Sequence, residues 1–251
     1  MSRIEWTNYL ERFHADRAGI TETILSSCRA DGITPYEWLG TLLVPGTRTV
    51  LDIACGSGPM HQIVGPTWFG VDRSHAELAA ARHAHHGARL ALADAHALPF
   101  RAGCADTVVC CMGLMVIPSI ETVLREITKV AARQAPIAVL LPTTSPLTIR
   151  DRLRYALLLA TMHVTSFRYP NPAVIRDPRR PLHDAGFTIT DDDRKRFSFH
   201  IADTHAADAL IDSFYVPGIR ADRLDAAKRV ARRWTGTDIG IPLRRLAARP
   251  A

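Results

Sequence analysis

Between residues 49 and 141 short uninterrupted apolar blocks alternate with stretches whose apolar positions recur every three or four residues. Blocks at 49–53, 67–71, 88–92, 107–111 and 137–141 have the composition of strands buried on both faces, as in a parallel sheet covered by helices. A short helix fits between Pro59 and Pro66. Another opens at the Ser74-His75-Ala76-Glu77 capping box and runs to about residue 85, and a third covers 120–132. This alternation predicts an α/β fold with a doubly wound, mostly parallel, Rossmann-like sheet. Right-handed crossovers then bring the C-terminal ends of the parallel strands to one edge.

The flanks are more helical. Ile4, Trp6, Tyr9, Leu10 and Phe13 fall at roughly helical spacing over 4–17, and a second helix starts after Gly19. Thr34-Pro35-Tyr36-Glu37 is a capping box with proline at the first helical position, predicting a helix to about residue 43. Beyond Pro142 an apolar helix is expected over 147–164, then a break at Tyr169-Pro170-Asn171-Pro172 and a helix over 174–185. Residues 187–190 and 196–201 are strand-like, helices follow at 203–214 and 221–234, and a last strand spans 239–247. The expected organisation is an N-terminal helical lid, 1–45, on a seven-stranded core, 46–251, with helical insertions at about 143–186 and 203–235.

At 251 residues, 47% hydrophobic and 22% charged, the chain has the size and balance of one globular domain. No apolar run reaches the length of a membrane span, and the first six residues lack an apolar signal core, so a cytoplasmic protein is expected. Cys28, Cys55, Cys104, Cys110 and Cys111 show no CxxC spacing and read as reduced thiols; the histidines His75, His83, His85 and His86 read as surface groups, and no metal is predicted. The net charge of +6 and pI near 9.4 invite a polyanionic partner. The arginines of the C-terminal half are not interleaved with stacking aromatics, however, and a solvated surface accounts for them.

The chemistry concentrates at Val50-Leu51-Asp52-Ile53-Ala54-Cys55-Gly56-Ser57-Gly58, a strand that ends in an acid and turns through small residues. Twenty residues after Asp52 a second strand closes on Asp72, the spacing at which a nucleotide fold places a carboxylate on ribose hydroxyls. A dinucleotide fingerprint requires a third glycine, and that place falls on His61 or Pro59. An adenosyl ligand is the reading that remains.

Asp52 to Gly58 resembles the first motif of class I S-adenosylmethionine-dependent methyltransferases, with Ala54 at the first glycine. Gly70-Val71-Asp72-Arg73-Ser74, Ala93-Asp94-Ala95 with Leu98-Pro99-Phe100, and the strand from Asp106 to Met112 resemble the following motifs in order. The resemblance implies S-adenosylmethionine as cofactor and S-adenosylhomocysteine as product. It places Ala54, Cys55, Gly56 and Gly58 in the cofactor loop, Asp72 with Arg73 at the ribose, Asp94 with Ala95 at the adenine, and Met112 at the end of the fourth strand. Asp52 either caps the loop or also reaches the methionine ammonium. Cys111-Met112-Gly113-Leu114-Met115 stands where adenine and cytosine amine methylases carry a Pro-Pro clamp, which argues against those acceptors; the cofactor motifs together with helical insertions where a lid would form lead to the expectation of a small-molecule O, N, S or C acceptor. An RNA methyltransferase and a non-catalytic cofactor-binding protein are the alternatives. His14, in the lid, and His163, on the helix after the fifth strand, are the candidate bases, because imidazole titrates near neutrality.

Overall fold

The computed structural model describes residues 3–250. The preface folds as α1 (Arg3–Asp16), α2 (Ile20–Ser26), β1 (Cys28–Arg29) and α3 (Pro35–Gly40). Thr34 accepts from the Glu37 amide at 3.1 Å while Glu37 accepts from the Thr34 amide at 2.7 Å, so the capping box closes in both directions. The core continues with β2 (Val50–Ile53), α4 (Met60–Val64), β3 (Trp68–Asp72), α5 (His75–Ala84), β4 (Arg89–Leu92), β5 (Thr107–Cys111), α6 (Ile120–Val130) and β6 (Ile137–Pro142). The last part holds α7 (Ile149–Met162), α8 (Pro172–Arg176), α9 (Arg179–Asp184), β7 (Phe187–Ile201), α10 (Thr204–Asp212), α11 (Ala221–Arg232) and β8 (Thr237–Pro250).

All strands join one sheet in the order β1-β7-β8-β6-β5-β2-β3-β4. From β6 to β4 the pairing is parallel, and β8 pairs antiparallel with both β6 and β7. The sheet has eight strands, not the expected seven. The additional one, β1, lies in the preface and pairs antiparallel with β7 through Cys28 and Arg29. Two residues are too few to show any periodicity, which hid this strand in the sequence.

The two faces of the sheet carry separate cores. Val50, Trp68, Val109 and Leu140 pack with α2, α3, α10 and α11 on one side. Leu51, Ile53, Val108, Val139 and Ile127 pack on the other. Burial on both faces explains the unbroken apolar runs of β2 and β5. A third cluster, Trp6, Phe13 and Tyr215 with Tyr9, Leu10 and Tyr169, lies above the sheet edge.

Two expected elements differ in detail. The helix expected over 174–185 divides at Asp177-Pro178, because a residue before proline is forced out of the helical region. Conversely, the two strand-like pieces between 187 and 201 form one strand with a bulge near Ile189. Its charged middle is tolerated through cross-strand pairs, Asp192 with Arg244 at 2.6 Å and Asp191 with Arg245 at 3.4 Å. Helix α7 packs against α11 and β8, so the first insertion does not close over the sheet edge with its helix. Asp151 on α7 is 1% exposed and takes Arg196 Nε at 2.7 Å, Arg196 Nη2 at 3.0 Å and the Gly240 amide at 2.7 Å, fixing the helix to β7 and β8. No helix among the described residues is long and apolar enough to cross a membrane.

Candidate active site

The C-terminal ends of β2, β3, β4 and β5 open into a cavity of about 770 Å³, roofed by the preface helices and by residues of both insertions. The floor is the turn after β2. Ala54 and Gly56 take left-handed φ angles of 55° each and Gly58 one of 81°, which reverses the chain within a few residues. Ala54, Cys55, Gly56 and Ser57 line the cavity; Gly58 faces the core, where a Cβ would stand 3.2 Å from both Trp68 and His85. His85 is therefore a buried group, its ring tilted against that of His61 at 4.9 Å between centroids, not the surface histidine expected.

Asp52 lies beneath this floor. It is 1% exposed, accepts from the Trp68 indole Nε1 at 3.0 Å through Oδ2, and leaves Oδ1 without a hydrogen-bond partner. Burial pushes its carboxyl up to about 8, with Trp68 opposing and the neighbouring Asp72 adding to the rise. The side chain is not part of the cavity wall, and no backbone amide of the loop donates to it among the described hydrogen bonds. Gly70 makes the arrangement sterically feasible, since a Cβ there would stand 2.3 Å from the Trp68 ring.

Asp72, at the end of β3, anchors the floor from the side. Its carboxylate accepts from the Gly56 amide at 2.9 Å and the Ser74 amide at 2.8 Å. Burial raises its pKa against those two donors, and lone pairs on both oxygens remain for a ligand's hydroxyls. Arg73 lines the same wall and pairs with Glu11 of α1. At the far end Asp94, Ala95 and His96 follow β4. The His96 ring bridges Asp94 Oδ1 at 2.5 Å and the Pro118 carbonyl at 2.6 Å, closing that end of the cavity. Burial works against the ionised Asp94, but the His96 amide and ring overcome it and hold the carboxyl below its usual range. Met112, after β5, takes a φ of 57° and lines the wall beside Cys111 and Gly113. Burial holds the Cys55 and Cys111 thiols well above their ordinary values, so neither is a thiolate nucleophile near neutrality.

Glu77 of α5 fastens the roof at two points. Ser74 caps α5 by accepting from the Glu77 amide at 3.3 Å, but Glu77 does not return the bond as a capping box would. Its Oε1 instead meets His14 Nδ1 at 2.8 Å and its Oε2 accepts from the Gly19 amide at 3.0 Å. His14 Nε2 stands 3.3 Å from the Tyr215 hydroxyl, and the Tyr9 hydroxyl accepts from the Val216 amide at 3.0 Å. His14 thus reaches the cavity and His163 does not. Helix α7 stops at Met162, and His163 takes the left-handed position that ends it, with φ 57° and an exposed side chain. This removes His163 as a base.

A family model described as a methyltransferase domain matches residues 51–139, the stretch that carries the floor, Asp72, Asp94 and β5. The chain is an S-adenosylmethionine-dependent methyltransferase. A search of curated protein sequences returned no match. Among solved structures the methyltransferase is similar to a Bacillus halodurans C-125 protein assigned to the methyltransferases, with 15% identity and a TM-score of 0.59 over 86% of this chain and 99% of that one. A Thermotoga maritima protein described as a possible histamine N-methyltransferase shows 11% identity and a TM-score of 0.54, covering 98% and 97%. The [4+2]-cyclase SpnF shows 19% identity and a TM-score of 0.54, covering 85% and 81%. At these identities the likenesses describe the fold.

The residues of the methyltransferase suit the cofactor chemically. Asp72 offers acceptors for vicinal hydroxyls, and Asp94 Oδ2 has no partner among the described residues, leaving it open to an exocyclic amine. Glu22, Tyr36, Glu77, His96 and Tyr215 also line the cavity, and the sequence did not single them out as site residues. The Thr34-to-Glu37 cap, which fixes where Tyr36 enters its helix, and the Ser74-to-Glu77 cap, which carries Glu77, offered a signal. Among the described residues no group of three or more His, Cys, Asp or Glu side chains is placed to hold a metal ion.

Proposed function

We propose that the methyltransferase acts on a small molecule held under the roof formed by α1, Pro170, Asn171 and Tyr215. The observation that carries this reading is the cavity itself. About 770 Å³ between floor and roof suits a cofactor with a compact acceptor. An RNA acceptor is less well served: among the described lining residues Arg73 is the single arginine or lysine, and it is neutralised by Glu11. Much of the basic C-terminal half is also paired, Arg196 with Asp151, Arg232 with Asp208 and Arg244 with Asp192. The five unpaired cysteines suit a reducing compartment such as the cytoplasm.

In this reading Asp72 takes the ribose hydroxyls, Asp94 with Ala95 the adenine, and Ala54, Cys55, Gly56 and Met112 the methionine portion, while Asp52 and Gly58 support the floor from the core. Bound there, the cofactor supplies a methyl group already activated on a sulfonium. The protein then has to hold the acceptor in line, exclude water and, for a hydroxyl or thiol, remove a proton. Glu77 orients the His14 ring through Nδ1, leaving Nε2 toward the cavity side as the basic atom. Calorimetry with S-adenosylmethionine and S-adenosylhomocysteine, followed by methyl transfer over a panel of small acceptors, tests the proposal. Absence of binding, or binding with transfer only to RNA, would overturn it.

A further inference from the structure

Four carboxylates on the cavity wall are accounted for. Glu11 pairs with Arg73, Glu77 with His14, Asp94 with His96, and Asp72 accepts two backbone amides. Glu22 is different. It is half-buried on α2, its carboxylate accepts from the Ser57 hydroxyl of the floor, and no cation pairs with it among the described residues. Burial raises its pKa, the Ser57 bond opposes that rise, and the nearby Glu77 adds to it. Among the described residues Glu22 is thus the cavity-wall carboxylate held by neither a cation nor a backbone amide.

Tyr36 lines the same cavity. The residue is only 4% exposed, and its hydroxyl makes no hydrogen bond among the described residues. Burial raises its pKa, and the charges of Cys111 and Glu22 add to that rise. The hydroxyl is open to the cavity, where a ligand can supply its partner. Carboxylate and hydroxyl together offer acceptors for a group with several N–H donors and a positive charge. Trp6 and Tyr215, on the same cavity wall, give aromatic faces to the body of such a ligand.

We propose, resting on the small-molecule reading above, that the acceptor is an organic ammonium and that Glu22 and Tyr36 recognise its cationic head, Glu22 by ion pair and Tyr36 by hydrogen bond. Glu22 is then the specificity-determining residue. It separates ammonium acceptors from neutral molecules of equal shape, because a neutral hydroxyl leaves the buried carboxylate without its counter-charge.

The test is calorimetric, on the full-length protein saturated with S-adenosylhomocysteine. Benzylamine, 2-phenylethylamine, cyclohexylmethylamine and butylamine are titrated beside benzyl alcohol, 2-phenylethanol, cyclohexylmethanol and butanol. At least one amine is expected to bind about tenfold or more tighter than its alcohol, the order of one charge-assisted pair. Glu22→Gln should remove that preference while leaving S-adenosylhomocysteine affinity within about twofold. Tyr36→Phe should weaken the amine by a smaller factor, and thermal melting reports whether both variants fold. Equal binding of amines and alcohols, binding of no amine, or a Glu22→Gln loss that falls equally on S-adenosylhomocysteine would overturn the assignment, the last by placing Glu22 on the cofactor. Failure of wild type to bind S-adenosylhomocysteine would instead overturn the methyltransferase reading beneath it.

Discussion

Replacing Asp52 by asparagine tests whether the acid beneath the glycine turn is neutral in the folded protein. The side chain is 1% exposed, has one hydrogen bond, from Trp68 at 3.0 Å, and is raised by burial to about 8 from an ordinary 3.8. Between those two values the folded state keeps a proton that the unfolded chain has released. Stability from this group is therefore fully present below the lower value and declines as pH rises toward the upper one. The slope for one full proton is about 1.4 kcal/mol per pH unit, so about 2.7 kcal/mol is lost between pH 5.5 and 7.5. Asparagine has the shape of the neutral acid, can still accept from the Trp68 indole and does not titrate. The variant should match wild type below about pH 4, exceed it increasingly as pH rises, and level off above about pH 8. Urea unfolding followed by tryptophan fluorescence at the two pH values measures the difference, and subtracting the curves cancels every other titrating group. A difference that stays constant with pH would refute the reasoning.

Three further outcomes follow from named contacts. Asp72→Ala releases the Gly56 and Ser74 amides as well as any ligand hydroxyl, and should weaken S-adenosylhomocysteine binding by about 1–3 kcal/mol, or roughly 5–150-fold in calorimetry. Asp151→Asn leaves Arg196 without its buried partner and should cost about 3–5 kcal/mol of stability at neutral pH. Burial opposes the ionised Asp151, but its five hydrogen-bond donors hold its pKa far below the ordinary value. Its stabilisation is thus present above the unfolded value and lost as pH falls, so acid unfolding of the variant should show a weaker dependence on pH. Ala54→Gly relieves a left-handed alanine and should raise stability by about 1 kcal/mol in thermal or urea melts, with cofactor binding retained.

The parallel core was legible in the sequence because its strands are covered on both sides and its helices begin at recognisable caps. Residues 107–111 were read without error at either end, since β5 is central and buried over its first four residues. The glycine turn, Asp72 and Asp94 lie where the motif order placed them, at successive strand ends of one cavity. What the chain concealed depends on contacts between distant segments. Glu77 looked like a capping-box acid, yet its carboxylate goes to His14, 63 positions away. His163 looked like a residue of an apolar helix, but the chain ends that helix one residue earlier. Glu22, Tyr36 and Tyr215 belong to helices and a loop with no shared periodicity, and only the tertiary fold brings them to one wall.

The preface meets the rest of the molecule at two very different places. Strand β1 is stitched to the outer edge of β7, while α1 and α2 are held over the cavity by side chains, Glu11 to Arg73, Glu77 to His14 and the Gly19 amide, and Glu22 to Ser57. Backbone pairing fastens the preface at one place and carboxylates fasten it at the other, so only the second attachment depends on charge. Glu77 Oε2 lies 3.7 Å from the Cβ position of Gly56, within the floor's own field, where the charge of a bound molecule would be felt directly.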